Sequence, residues 1–178
     1  ASSALAVEAA GIRPGDTVMD LCAAPGGKTI LAAEFAGNTG HVLSRDVSEY
    51  KTDLIQENLE RMHRKNVEVQ VYDATMHDPE REAYADVVLM DVPCSGLGVM
   101  GKKRDIKYHV TPESLCSITE LQKQIVEAGW QYVKPGGILL YSTCTIHRPE
   151  NQEMTAWITE NFPFELEEER QLLPGTDE

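Results

Sequence analysis

Short apolar runs punctuate the chain at residues 17–21, 41–45, 67–71, 85–90 and 138–142. Each is brief enough to be a strand. Helical stretches near 28–36 and 48–65, and a shorter polar connection near 78–83, separate the first four. Strands alternating with helices predict a parallel sheet covered on both faces, an α/β doubly wound architecture. The clearest helix spans about 112–133. Leu115, Ile118, Leu121, Ile125 and Tyr132 recur at three- and four-residue steps, with one longer gap, and Thr111 suits its N-cap. Pro135-Gly136-Gly137 is expected to break that helix and turn the chain into the last strand. A final helix is expected over 150–161, opened by His147-Arg148-Pro149 and ended near Pro163. The acidic run at 165–170 reads as a solvated face or loose tail.

Composition narrows the classes. An apolar fraction of 42% over 178 residues suffices for one domain with a real core. No apolar run approaches the roughly 18 residues that cross a bilayer, so a cytoplasmic monomer with no membrane partner is expected. The four cysteines and five histidines are widely spaced, with no C-x-x-C pair, so neither a zinc ribbon nor any other metal site is expected. The net charge of −13 opposes strong non-specific nucleic-acid binding by this stretch alone. The first residue is Ala and the chain stops after Gly175-Thr176-Asp177-Glu178. Both ends read as those of a fragment, whose other parts would carry the basic surface.

Candidate chemistry begins at the first strand's end, in Asp20-Leu21-Cys22-Ala23-Ala24-Pro25-Gly26-Gly27-Lys28-Thr29. A buried strand running into a glycine-rich turn that opens a helix is where doubly wound folds hold nucleotides. Gly26 and Gly27 allow close backbone approach. The turn matches neither G-x-G-x-x-G nor G-x-x-x-x-G-K-[ST], which disfavours a dinucleotide-dependent dehydrogenase. A ligand-free βα turn is the plain alternative. Asp46, ending the second strand, can accept both ribose hydroxyls of an adenosine, and Asp73, after the third, can meet an adenine amino group. Either could equally be a cap or turn former. All three strand ends in order make the stronger signal.

Cys94, in Asp91-Val92-Pro93-Cys94-Ser95-Gly96, follows the fourth strand, and Cys144, in Ser142-Thr143-Cys144-Thr145, follows the fifth. By residue type alone both would be small buried residues in turns. With the glycine-turn motif, and with Glu150-Asn151-Gln152-Glu153 shortly after, these motifs resemble those of the RNA cytosine-C5 methyltransferases over nearly the whole chain. The stretch 98–108 looks most like the branch containing the bacterial small-subunit ribosomal RNA methyltransferase B, although its order is Lys103-Arg104-Asp105 where basic-Pro-Asp is usual.

The resemblance implies a Rossmann-like methyltransferase catalytic domain over 1–178. It implies S-adenosyl-L-methionine as cofactor, held by Cys22, Ala23, Ala24, Pro25, Gly26, Gly27, Lys28, Asp46, Asp73 and Asp91. It implies Cys144 as nucleophile and Cys94 as the residue that helps release product. Asp91 would hold the cytosine edge, with Lys28 paired to it or touching the base. Thiolate addition at cytosine C6 makes C5 nucleophilic. Lowering a thiol pKa from about 8.5 to about 7 needs roughly 2 kcal/mol, from Lys28, a helix dipole or the sulfonium. Lys102, Lys103, Arg104 and Lys107 are the basic cluster expected to touch RNA phosphate. Cys22 is expected to pack below the turn and Cys116 to sit in a helix. The expected substrate is a cytosine of 16S ribosomal RNA. The alternatives are a transfer RNA cytosine, an exocyclic amine, DNA, or a non-catalytic RNA-binding role. The family normally carries an RNA-binding extension before this core and further strands after it.

Overall fold

A computed structural model describes residues 2–97 and 111–171. Strands β1 (Thr17–Asp20), β2 (His41–Asp46), β3 (Val67–Val71), β4 (Ala85–Asp91) and β5 (Val133–Ser142) form one sheet in the order β3-β2-β1-β4-β5. Every pairing is parallel. The α-helices of the described residues are α1 (Ser2–Ala9), α2 (Gly27–Ala36), α3 (Glu49–Arg61), α4 (Pro112–Gly129) and α5 (Gln152–Asn161). The chain winds outward from β1 to β3, then returns to β1's other side for β4 and β5. A crevice opens where that direction reverses, at the carboxyl ends of β1 and β4.

Side-chain alternation along the strands feeds two cores. Val18, Val42 and Val67 lie in register on one face. Val18 and Val42 pack there with Val7 and Ala10 beside α1, and with Ala32 and Ala33 of α2. Ile55 and Leu59 of α3 extend this layer over Val67 and Val69. Met19, Leu43 and Val88 turn to the opposite face, against Ile125 and Val126 of α4 and Met154 and Ile158 of α5. Each fully buried aliphatic side chain contributes about 1.5–3 kcal/mol, so a one-residue register slip that exchanged faces would forfeit most of the core. The doubly wound expectation is met.

Element boundaries differ in instructive places. Helix α3 stops at Arg61, four residues early, and His63 follows with φ 53. Helix α4 begins as expected, with Thr111 and Ser114 forming a reciprocal capping box, but ends at Gly129 and passes into a 3-10 turn, Trp130–Tyr132. The expected break at Pro135-Gly136-Gly137 is not a helix-to-strand turn. Strand β5 has already begun at Val133, and the tripeptide lies within it at a register shift opposite Ala85 and Val87. A bulge explains why proline is tolerated there, since the hydrogen-bond ladder lapses locally. The last helix is likewise split into a 3-10 turn, Arg148–Glu150, and α5. Helix α1 was not expected. Its sequence has no polar face, and packing of Val7 against α2, not amphipathic pattern, fixes it.

Candidate active site

The glycine turn leaves β1 at Asp20 and enters α2 at Gly27. Gly26 sits at φ 104, and a Cβ there would lie 3.3 Å from Ile55 Cγ2, so glycine is required. The Ala24–Pro25 peptide is cis, and Asn58 of α3 donates to the Pro25 carbonyl at 2.8 Å. Beneath the turn, Thr29 donates to Asp20 Oδ2 at 2.8 Å and meets Ser44 Oγ at 3.0 Å. Asp20 is fully buried, and its Oδ1 has no hydrogen-bond partner. Burial pushes its carboxyl up to about 7, countered in part by the Thr29 hydrogen bond.

Asp46 and Asp73 stand at the ends of β2 and β3 as expected. Asp46 is almost wholly buried and already receives the Ala24 and Val47 amides at 2.9 and 2.8 Å and the Lys51 ammonium at 3.1 Å. A carboxylate offers about four acceptor sites, so binding two ribose hydroxyls requires Lys51 to withdraw. Asp73 is exposed, and Oδ1 accepts from Thr75 N and Oγ1 at 2.9 and 2.7 Å, which lowers its pKa. Val47, Val71 and Met76, all about half exposed, flank these two acids. Apolar surface edged by carboxylates fits an adenosine, and Gly27 leaves open space where a side chain would stand. The residues present fit S-adenosylmethionine, the cofactor that the sequence motifs imply. Cys22 packs its side chain toward the core, and burial with the nearby Asp20 and Asp46 drives its thiol pKa up. What Cys22 offers the turn is backbone.

At the same rim, Asp91 ends β4 in register with Ser142 of β5. Asp91 Oδ2 accepts from Lys28 Nζ at 2.5 Å, and Oδ1 accepts from Ser142 Oγ at 2.7 Å. The two cysteines expected from the sequence meet: their sulfurs lie 2.8 Å apart without a disulfide, and the Cys144 amide donates to Cys94 Sγ at 3.2 Å. The hydrogen bond with Cys144, then burial, raises the Cys94 pKa. Cys144 is exposed and Cys94 half-buried. Cys116 lies in α4, as expected, but is exposed rather than buried. Lys102, Lys103, Arg104 and Lys107 lie outside the described residues.

Sequence reasoning missed a polar cluster behind the thiols. Gln122 and Glu150 are fully buried. Glu150 Oε2 accepts from Ser95 N and Gln122 Nε2, both at 2.9 Å, and Oε1 lies 3.0 Å from His147 Nδ1. The Tyr141 hydroxyl donates to the Glu150 carbonyl at 2.9 Å. Asn151 accepts from Thr143 Oγ1 at 2.6 Å and donates to the Thr145 carbonyl at 2.8 Å. Two signals pointed there: the Glu150-Asn151 motif, to which no role was given, and a polar Gln122 among the apolar positions of α4. Among the described residues, no group of three or more His, Cys, Asp or Glu is placed to hold a metal, and no helix is long and apolar enough to cross a membrane.

The chain is similar to known proteins over most of its length. The probable ribosomal RNA small subunit methyltransferase B of Bacillus subtilis (strain 168) is 40% identical over 167 residues, 92% of this chain and 37% of that protein. The ribosomal RNA small subunit methyltransferase F of Klebsiella pneumoniae (strain 342) is 35% identical over 152 residues, 85% of this chain and 32% of that protein. The chain therefore spans about a third of the length of the curated relatives it matches. A methyltransferase homolog protein from Pyrococcus horikoshii superposes with TM-score 0.78 at 34% identity, over 90% of this chain and 50% of that one. NSun6 from Pyrococcus horikoshii with SFG gives TM-score 0.77 at 27% identity, over 89% of this chain and 40% of that one. The family model of the 16S rRNA methyltransferase RsmB/F matches residues 8–170, and the chain belongs to that family.

Proposed function

We propose that residues 1–178 lie in the catalytic domain of an S-adenosylmethionine-dependent RNA cytosine-C5 methyltransferase that acts on RNA of the small ribosomal subunit. The observation that carries this reading is the contact between Cys94 and Cys144, 2.8 Å apart on the rim that also holds the Lys28–Asp91 pair. Methylation of an exocyclic amine needs no thiol, and two facing thiols at strand tips suit addition to a pyrimidine ring. The relatives' names supply the ribosomal RNA.

Cys144, the more exposed sulfur, adds to C6 of a cytosine turned out of the RNA stack. The C6–S bond moves electron density to C5. Held at the glycine turn, S-adenosylmethionine would supply the electrophilic methyl group for C5, its sulfonium sulfur keeping the electron pair of the broken methyl–sulfur bond. Loss of the C5 proton to a base then restores the ring double bond, and the Cys144 sulfur leaves with its electron pair. Cys94 lies 2.8 Å from the Cys144 sulfur, close enough for its thiol to donate to that sulfur as the bond to C6 forms and breaks. The same donor steadies the departing sulfur. Asp91 accepts from the cytosine amino group, and Lys28 holds Asp91 in place.

Mutant trapping tests the reading. Cys94→Ala, in the complete protein incubated with substrate RNA and S-adenosylmethionine, is expected to accumulate a covalent protein–RNA adduct. Changing Cys144 as well should abolish it. An adduct formed by Cys144→Ala with Cys94 intact reverses the two roles; an adduct that survives loss of both cysteines, or none from any variant, defeats the reading.

A further inference from the structure

Each cysteine of the pair is flanked by two residues whose polar atoms are tied down, and the ties converge on one dipeptide. Around Cys94, the Pro93 carbonyl accepts from Gln122 Nε2 at 2.8 Å and the Ser95 amide donates to Glu150 Oε2 at 2.9 Å. Gln122 uses both hydrogens of its amide, one on Pro93 and one on Glu150, so its orientation is fixed. Around Cys144, Thr143 donates its hydroxyl to Asn151 and the Thr145 carbonyl accepts from Asn151. A direct strap joins the loops, Ser95 Oγ to Thr145 Oγ1 at 2.8 Å. Glu150 and Asn151 are consecutive, at the hinge between the 3-10 turn and α5, where Asn151 has φ −118 and ψ −97. A fully buried carboxylate that accepts two N–H donors and faces an imidazole is costly to place in an interior unless its bonds are needed.

We infer that Glu150 and Asn151, with Gln122, are positioning residues that set the distance between the two thiols. Glu150 holds the Cys94 loop and Asn151 the Cys144 loop, so one peptide unit carries both settings. The bonds described for the three run to the loops that carry the thiols, not to the sulfurs. The catalytic consequence rests on the function proposed above, but the geometry can be measured without it.

The probe is diamide, which takes two electrons and two protons from a pair of thiols as one S–S bond forms. Its rate of linking Cys94 to Cys144 in the whole chain, located by peptide mass spectrometry, reports how well the sulfurs are held together. Glu150→Ala and Asn151→Ala should slow that linkage at least tenfold. Glu150→Gln preserves the two N–H bonds, since its amide oxygen can accept from Ser95 and Gln122 while its amide nitrogen faces His147 Nδ1. Its rate should stay within about threefold of wild type. Should Glu150→Ala fail to fold, as judged by circular dichroism, Glu150→Gln and Asn151→Ala carry the test. Wild-type rates in both alanine variants, or in Asn151→Ala alone when Glu150→Ala does not fold, would overturn the inference. So would a tenfold loss in folded Glu150→Gln, which would assign the effect to charge. Failure of the adduct experiment above would leave these rates, and this inference about geometry, standing.

Discussion

At the residue scale, reactivity is partitioned by environment among cysteines of identical chemistry. Cys22 is driven toward the neutral thiol by burial and neighbouring carboxylates, while exposed Cys144 has the amide and sulfur contacts of the Cys94 pair. Cys144→Ala in the complete protein should lower methyl transfer at least about a thousandfold, while S-adenosylmethionine affinity by calorimetry changes less than about threefold. Asp20 makes a second prediction. Its folded pKa, about 7, exceeds the ordinary 3.8, so between those values the folded state binds the extra proton. Stability from this group is therefore full below about pH 4, falls as pH rises toward 7, and is level above. Asp20→Asn should remove a pH dependence on the order of a few kcal/mol, seen as a smaller difference between urea midpoints at pH 5 and pH 8. An unchanged difference would mean that Asp20 is ionised throughout. The strand-end residues Asp20, Asp46, Asp73, Asp91, Cys94 and Cys144 were legible in the sequence because a parallel sheet delivers every strand's carboxyl end to one rim. Glu150 and Asn151 were legible only as part of a motif without a role, and Gln122 only as a polar residue in an apolar pattern. Glu150 and Gln122 act through contacts 28 or more residues apart, which no local pattern encodes.

At the scale of elements, helix α4 is the part that carries Gln122 to the thiols, and its seating depends on a glycine. A Cβ on Gly129 would lie 2.6 Å from Leu21 Cδ1 and 2.8 Å from Met90 Cε. Gly129→Ala should thus destabilise the fold by about 1–3 kcal/mol, read from urea denaturation, because flexible side-chain ends can yield only in part. Strands and amphipathic helices were legible from periodicity. The start of β5 was not, since Pro135-Gly136-Gly137 carries a turn signature and only the pairing of Ala85 with Val133 shows the strand already under way. Helix α1 escaped notice for the opposite reason: SSALAVEA has apolar residues but no polar contrast.

Across the whole molecule, the acidic balance sets how RNA can be met. With net charge −13, this 178-residue chain is expected to bind single-stranded RNA only in the non-specific range, about 10⁻⁴–10⁻⁶ M at physiological salt, by fluorescence anisotropy. Nanomolar binding would show that its own surface suffices for capture. The chemistry occupies only one rim of the sheet, and the other rim bears turns such as Asn38-Thr39, both exposed, between α2 and β2. The proposed site and these turns thus lie at opposite ends of the described sheet. A short tag spliced between Asn38 and Thr39 should leave cofactor affinity within about twofold, so this turn can serve as an attachment point for dyes, surfaces or fused domains.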